Sequence, residues 1–284
     1  MSPTSPSDPA LVNEVRTEIA PDSRERDWAV RVAAGAGAVT VAGMIATPLL
    51  PQGGRARRVL SSVVVVGSFT TTTANAVRRW GAGRAGATAA ATAVSTTVVE
   101  RVGTATGFPF GQYGYTAALQ PQVAHVPAIV PLAWFALGLP ARETAHAALG
   151  ARSTPASRIV LGSAALTAWD LFLDPQMVGE GYWAWVKRGA YRGIPVTNFL
   201  GWFITGLGVM ALLEAALPPA DEPRDADGAL VGGYAYMGVM ETIGFARYFR
   251  DPVVAIVGGL GMLPIAAAAV MRKLGVTGGS RHHG

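Results

Sequence analysis

Residues 252–271 read PVVAIVGGLGMLPIAAAAVM, twenty positions without a charged side chain. As a helix rising about 1.5 Å per residue, this stretch is about 30 Å long, the thickness of a bilayer's hydrocarbon core. It has no polar stripe to turn toward water, which a surface helix of a soluble domain would need. Its reading is a membrane span.

Seven further apolar blocks precede it, over about 28–50, 59–77, 86–102, 123–141, 156–173, 195–217 and 228–249. The fold class is therefore all-α, a polytopic transmembrane helical bundle of about eight spans. Residues 28–273 are expected to form one transmembrane domain, with 1–27 a cytoplasmic extension and 274–284, including His282-His283, a disordered tail. The third block is short and rich in Ala and Thr, and the last two are separated only by Arg250-Asp251-Pro252. Pro51-Gln-Gly-Gly, Pro140, Pro175 and Pro218-Pro219 fall at predicted span ends, where proline and glycine stop helices.

Composition agrees, with 50% hydrophobic and 14% charged residues. The net charge of +5 does not point to nucleic acid, because the cations are scattered between apolar blocks and not gathered on one face. They read as topology signals. With the N-terminus cytoplasmic, 14 of the 23 Lys and Arg residues fall on the inside. Arg55, Arg57 and Arg58 count against that orientation. No early apolar segment suggests a cleavable signal peptide. The absence of cysteine removes disulfides, thiolate metal ligands and thiol nucleophiles. There is no glycine-rich phosphate loop, no GxSxG elbow and no histidine spacing suited to iron or haem, so no metal and no redox cofactor is expected.

Ionisable residues inside spans cost several kcal/mol unless paired or facing a cavity, and so mark function. Glu100 ends the third span, Asp170 and Asp174 end the fifth, and Glu241 lies late in the seventh. His125 begins the fourth and Asn198 the sixth. Ends of odd-numbered spans and starts of even-numbered ones share a membrane side, so all six groups belong to one face whichever way the protein inserts. Each could also simply mark a helix end at the interface.

Asp170 and Asp174 stand i, i+4, so both carboxyls leave one helix face within a turn of each other. Two carboxylates that close in a low dielectric do not both ionise readily, which makes them a candidate acid/base pair. Competing readings are a Ca²⁺ site, salt bridges to Lys187, Arg188 or Arg192, and a helix-ending turn at Asp174-Pro175. Trp169, Tyr182, Trp183, Trp185, Tyr191, Phe199 and Trp202 surround them. An interfacial aromatic belt would explain this density, and so would a pocket whose ring faces stabilise a cation.

The stretch Ala168-Trp-Asp-Leu-Phe-Leu-Asp-Pro-Gln-Met-Val, then Gly181-Tyr-Trp-Ala-Trp, then Tyr191-Arg-Gly-Ile-Pro-Val-Thr-Asn-Phe-Leu-Gly-Trp, resembles carotenoid biosynthesis membrane proteins of the CruF type, the carotenoid 1,2-hydratase and bisanhydrobacterioruberin hydratase family. Glu100-Arg-Val-Gly-Thr-Ala-Thr-Gly-Phe-Pro-Phe-Gly-Gln-Tyr-Gly-Tyr is similar to the family's upstream block, with Pro127 and Trp134 following. The resemblance covers roughly residues 95–250, and the first 90 residues carry no assignable motif. It implies addition of water to the terminal double bond of an acyclic carotenoid, giving a tertiary alcohol. Arg192 stands where the family often has an aromatic residue, a departure expected to alter which end group is accepted.

On this reading Asp170 or Asp174 donates a proton to the less substituted alkene carbon, and the aromatic rings shield the tertiary cation. The other Asp or Glu100 takes the proton from the attacking water, which Tyr113, Tyr115 or Asn198 positions. Trp169, Trp183, Trp185, Tyr191, Trp202 and Glu241 complete the expected substrate-binding set. The expected partners are an acyclic carotenoid and membrane lipid, not nucleic acid, and the expected location is the plasma membrane. Two rivals share these features: a carotenoid cyclase, which would exclude water, and a transporter or lipid-binding protein whose acids pair with cations.

Overall fold

The computed structural model describes residues 23–276. It contains eight α-helices: α1 (Ser23–Ala46), α2 (Arg55–Trp80), α3 (Ala82–Thr106), α4 (Ile129–Leu149), α5 (Pro155–Gly179), α6 (Val196–Ala216), α7 (Gly228–Arg247) and α8 (Pro252–Lys273). By length and composition α1 with its following turn, α2, α5, α6 and α8 are able to cross a membrane. The chain is an integral membrane protein of helical-bundle class. Most of the expected extension at 1–27, and the His282-His283 end of the expected tail, lie outside the described residues.

Large apolar side chains point outward along these helices, among them Leu200 and Ile204 on α6 and Ile256 and Leu260 on α8, the last 71% exposed. In water such stripes would drive association; against acyl chains they are the matched surface. Two of the other three helices are held differently. In α3, Thr88, Thr92 and Thr96 donate to the carbonyls four residues earlier, Arg84, Thr88 and Thr92, so its hydroxyls need no outside partner. Helix α4 is enclosed by its neighbours and buried almost continuously from Trp134 to Ala147.

Helix ends depart from expectation in three places. Pro140 lies inside α4 and Pro175 inside α5, and neither ends a span. Helix α5 thus continues past the Asp174-Pro175 pair to Gly179, which excludes the turn reading there. The block beginning at 123 is not yet helix: β2 (Gln122–Val123) and β3 (Val126–Pro127) form a tight hairpin, with Ala124 and His125 at positive φ, and α4 starts only at Ile129. An apolar run set the prediction, but two left-handed residues turn the chain instead.

Start signals are clearer. Thr154 and Ser157 form a capping box on α5, Asp227 caps α7, and the Asp251 carboxylate accepts from the Val254 N–H at the start of α8.

Candidate active site

Glu100 leaves the last turns of α3, and the chain then folds back on that helix. Gly103 makes this possible, since a Cβ there would meet the Phe110 ring at 2.8 Å and the Tyr113 hydroxyl at 3.1 Å. The returning strand β1 (Tyr113–Tyr115) pairs antiparallel with β4 (Trp183–Trp185), which follows α5, setting Tyr113 opposite Trp185 and Tyr115 opposite Trp183. Side chains alternate along a strand, so two tyrosines and two tryptophans share one face of the ribbon. Tyr113 stacks on Trp185 at 5.8 Å and Tyr115 meets Trp183 edge-on at 5.5 Å.

That face gathers on Glu100. The hydroxyls of Tyr113 and Tyr115 both donate to its Oε2, the latter at 2.7 Å, and the Trp134 indole donates to Oε1 at 3.2 Å. Burial first, then the neighbouring Glu100, pushes both phenols well above their ordinary range, so each remains an O–H donor. The second acidic group is the i, i+4 pair on α5. The Asn198 carboxamide donates to Asp170 Oδ2 at 2.9 Å and also to Asp174 Oδ2, while the Trp183 indole donates to Asp174 Oδ1 at 3.0 Å. Asp170 Oδ1 is buried with no partner. Every donor to these three acids is neutral.

Glu100, Asp174 and Asn198 line one cavity of about 270 Å³, together with Trp134, Trp169, Trp183, Trp185, Trp202 and Glu241. Trp134 stacks face to face on Trp202 at 4.1 Å, and Trp169 meets Trp202 edge-on at 6.0 Å. Flat indole faces of this kind attract positive charge. Among the described residues, no Lys, Arg or His lines the cavity. Its walls come from the ends of α1, α3, α5 and α7 and the starts of α2, α4 and α6, the single face that the parity of spans predicts.

Most of the predicted site residues therefore meet. Asp170 sits one layer behind Asp174 and reaches the cavity through it and Asn198. Tyr191 lies outside the cavity, its hydroxyl donating to the Leu171 carbonyl at 2.8 Å and its ring packed edge-on against Phe199. His125 is exposed on its hairpin turn and is not brought to the acids. Arg192 pairs with Asp251 and does not line the cavity, so the structure gives the departure at that position no contact with an end group. It is also not a partner of Asp170 or Asp174.

Sequence reading passed over Trp134 as a site residue, although it supplies a donor to Glu100 and half of the tryptophan stack. It also found nothing in the first 90 residues, yet Met44, Ile45, Val64 and Val65 form a wall of the cavity. Neither signal was available from spacing alone, because an indole or a valine within an apolar run does not announce which face it takes.

The chain is 32% identical over 118 residues to the bisanhydrobacterioruberin hydratase of Haloarcula japonica, a match covering 41% of this chain and 40% of that relative. No solved structure matches. A family model described as carotenoid biosynthesis protein matches residues 59–264, running from α2 into α8 and taking in Glu100, the α5 pair, the β1–β4 ribbon and Asn198. The chain belongs to the carotenoid biosynthesis protein family.

Proposed function

We propose that this protein is a membrane-embedded carotenoid hydratase, which adds water to the terminal double bond of an acyclic carotenoid by acid catalysis. The observation that carries the reading is the arrangement of carboxyls: a buried aspartate pair bridged by one carboxamide, facing a glutamate held by three neutral donors, within a tryptophan-lined cavity that has no cation. Two carboxyls sharing one amide in low dielectric are most stable with one proton between them. Asp174 faces the cavity and is the proton donor; Asp170, behind it, holds and returns the proton. Glu100, whose oxygens accept three hydrogen bonds, is arranged as a carboxylate.

In the reaction the Asp174 O–H bond breaks and its proton forms a C–H bond at the less substituted alkene carbon. The π electrons supply that bond and leave a tertiary cation beside the Trp134–Trp202 stack. Water forms the C–O bond and its proton passes to Glu100; transfer of that proton through water back to the Asp170–Asp174 pair restores the acid, so the net change is one water added. The similarity to a bisanhydrobacterioruberin hydratase supports this chemistry and a long acyclic polyene as substrate. Residues 28–273 act as one transmembrane domain in the plasma membrane with the N-terminus cytoplasmic, which sets the cavity toward the outer face.

The test is expression of wild type, Asp170→Asn and Asp174→Asn in lycopene-producing cells, with mass analysis of extracted pigments and a check of membrane insertion. Water adducts in wild type that either inserted variant loses support the reading. Unchanged mass across several acyclic carotenoids, with the protein inserted, overturns it, and an isomeric cyclic product would assign a cyclase instead.

A further inference from the structure

One side of the cavity is lined by polar groups that the protein itself leaves unsatisfied. Among the described residues, the side chains of Ser68 on α2, Gln176 on α5 and Glu241 on α7 have no hydrogen-bond or ion-pair partner, yet all three line the cavity. The Tyr182 hydroxyl, buried beside Ser61, makes no well-formed hydrogen bond. Ser61 and Ser68 are seven residues apart and so share a face of α2, spaced about 10 Å along its axis. Tyr182 and Ser61 stand near the interfacial end, next to the loop joining α1 to α2 and the loop after α5. Gln176 is half a turn beyond Asp174. These groups thus line the same cavity as Asp174.

At membrane depth an unpartnered hydroxyl, carboxamide or carboxyl costs several kcal/mol, and bilayer hydrocarbon cannot satisfy it. An all-hydrocarbon polyene cannot satisfy it either. The aromatic and aliphatic lining of the cavity suits a polyene; these polar groups do not. Resting on the hydratase reading, we propose that Ser61, Ser68, Gln176, Tyr182 and Glu241 bind water in this cavity and order the nucleophile. Gln176 and Glu241 are the positioning residues: they hold water where it can reach the cation and do not themselves exchange the proton with carbon.

The ligand chemistry is that of a hydroxyl, which water or an oxygenated carotenoid could supply, and the test separates the two. Membranes containing the full chain, as wild type, Gln176→Leu, Glu241→Leu or Glu241→Gln, are incubated in D2O with lycopene, and in parallel with an acyclic carotenoid that already carries a tertiary hydroxyl. Hydrated product is measured, together with deuterium in recovered substrate. Deuterium there reports protonation by the acid followed by loss of a proton from the uncaptured cation, which restores an alkene. In the two Leu variants, loss of a hydrogen bond to the ordered water lowers hydration about tenfold or more with both substrates. Deuterium exchange persists, and Glu241→Gln recovers most of the hydration. Exchange and hydration falling together would show that these residues support the acid or the fold, and would overturn the proposal, as would hydration that does not fall. A loss confined to the hydroxylated carotenoid would assign these groups to the substrate's oxygen instead of water, and would overturn the proposal. Wild type that neither hydrates nor exchanges any substrate would instead mark the failure of the hydratase reading itself.

Discussion

Where α2, α4 and α6 finish, every buried acid has a guanidinium: Glu143 lies 3.2 Å from Arg79 and 3.0 Å from Arg142, Glu214 lies between Arg142 and Arg158, and Asp227 pairs with Arg78. Where α3, α5 and α7 finish, Glu100, Asp170 and Asp174 have phenols, indoles and a carboxamide as donors. Glu143 and Asp227 at one end and Glu100, Asp170 and Asp174 at the other are each 5% exposed or less. A guanidinium keeps its charge at any accessible pH, so an acid paired with it stays ionised and serves structure. An acid held by neutral donors can gain or lose a proton without breaking an ion pair. The partner makes the difference, not the end of the bundle: Glu180, just past α5 at the cavity end, pairs with Arg57 at 2.8 Å and is held like the acids opposite.

Removing the exchangeable proton should have the largest effect. Asp174→Asn keeps the shape and the Trp183 contact region but cannot act as an acid, and hydration should fall by about 10²–10⁴-fold, read as water adduct per inserted protein. At the paired end the effect should appear in folding and not in chemistry. Arg142→Met leaves Glu143 and Glu214 short of a cation, and breaking such a buried pair costs about 3–5 kcal/mol. Thermal melting in detergent should drop sharply, while hydration per folded molecule stays within about twofold, a difference below 1 kcal/mol. If Arg142→Met instead lost activity with its melting unchanged, the division by partner would be wrong.

Tyr115→Phe removes one of three donors to Glu100. A hydrogen bond to a charged group contributes about 1.5–3 kcal/mol, so hydration should fall by about tenfold or somewhat more, less than for Asp174→Asn. The smallest effect belongs to Arg192→Ala. Burial alone would raise the Asp251 carboxyl, but hydrogen bonds from Arg192 and from the Val254 N–H hold it below its ordinary value. A value depressed in the folded state stabilises above the unfolded aspartate range and is lost as pH falls through the folded one. With Arg192 44% exposed on its side chain, the pair contributes under about 1 kcal/mol. Wild type and Arg192→Ala should therefore differ slightly in melting near neutral pH and converge in acid.

The bundle was legible because lipid imposes length: PVVAIVGGLGMLPIAAAAVM has one reading, and α6, α7 and α8 begin within a residue of their expected positions. The shared face of Glu100, Asp174, Asn198 and Glu241 was legible too, since alternation of spans forces it. What could not be read was anything set by backbone conformation or by a distant partner. Ala124 and His125 turn where an apolar run suggested helix, Pro175 continues a helix where proline suggested an end, and Arg192 finds Asp251, 59 residues away. Nor does the sequence near Glu143 say that Arg79, 64 residues earlier, would neutralise it.

The β1–β4 ribbon carries a consequence for how the protein is made. Tyr113, Tyr115 and Trp134, the donors to Glu100, all follow it in the chain, and Trp183, which clamps Asp174, follows both aspartates. Until residues 183–185 pair with 113–115, the tyrosines are not fixed over Glu100 and the two acidic walls are not joined. A chain that ends before Trp183 therefore carries Glu100, Asp170 and Asp174 without the strand that joins their walls. The ribbon that joins the two acidic walls thus comes only after five helices in the chain, and the cavity is completed later still, by Asn198 and Trp202 of α6 and Glu241 of α7.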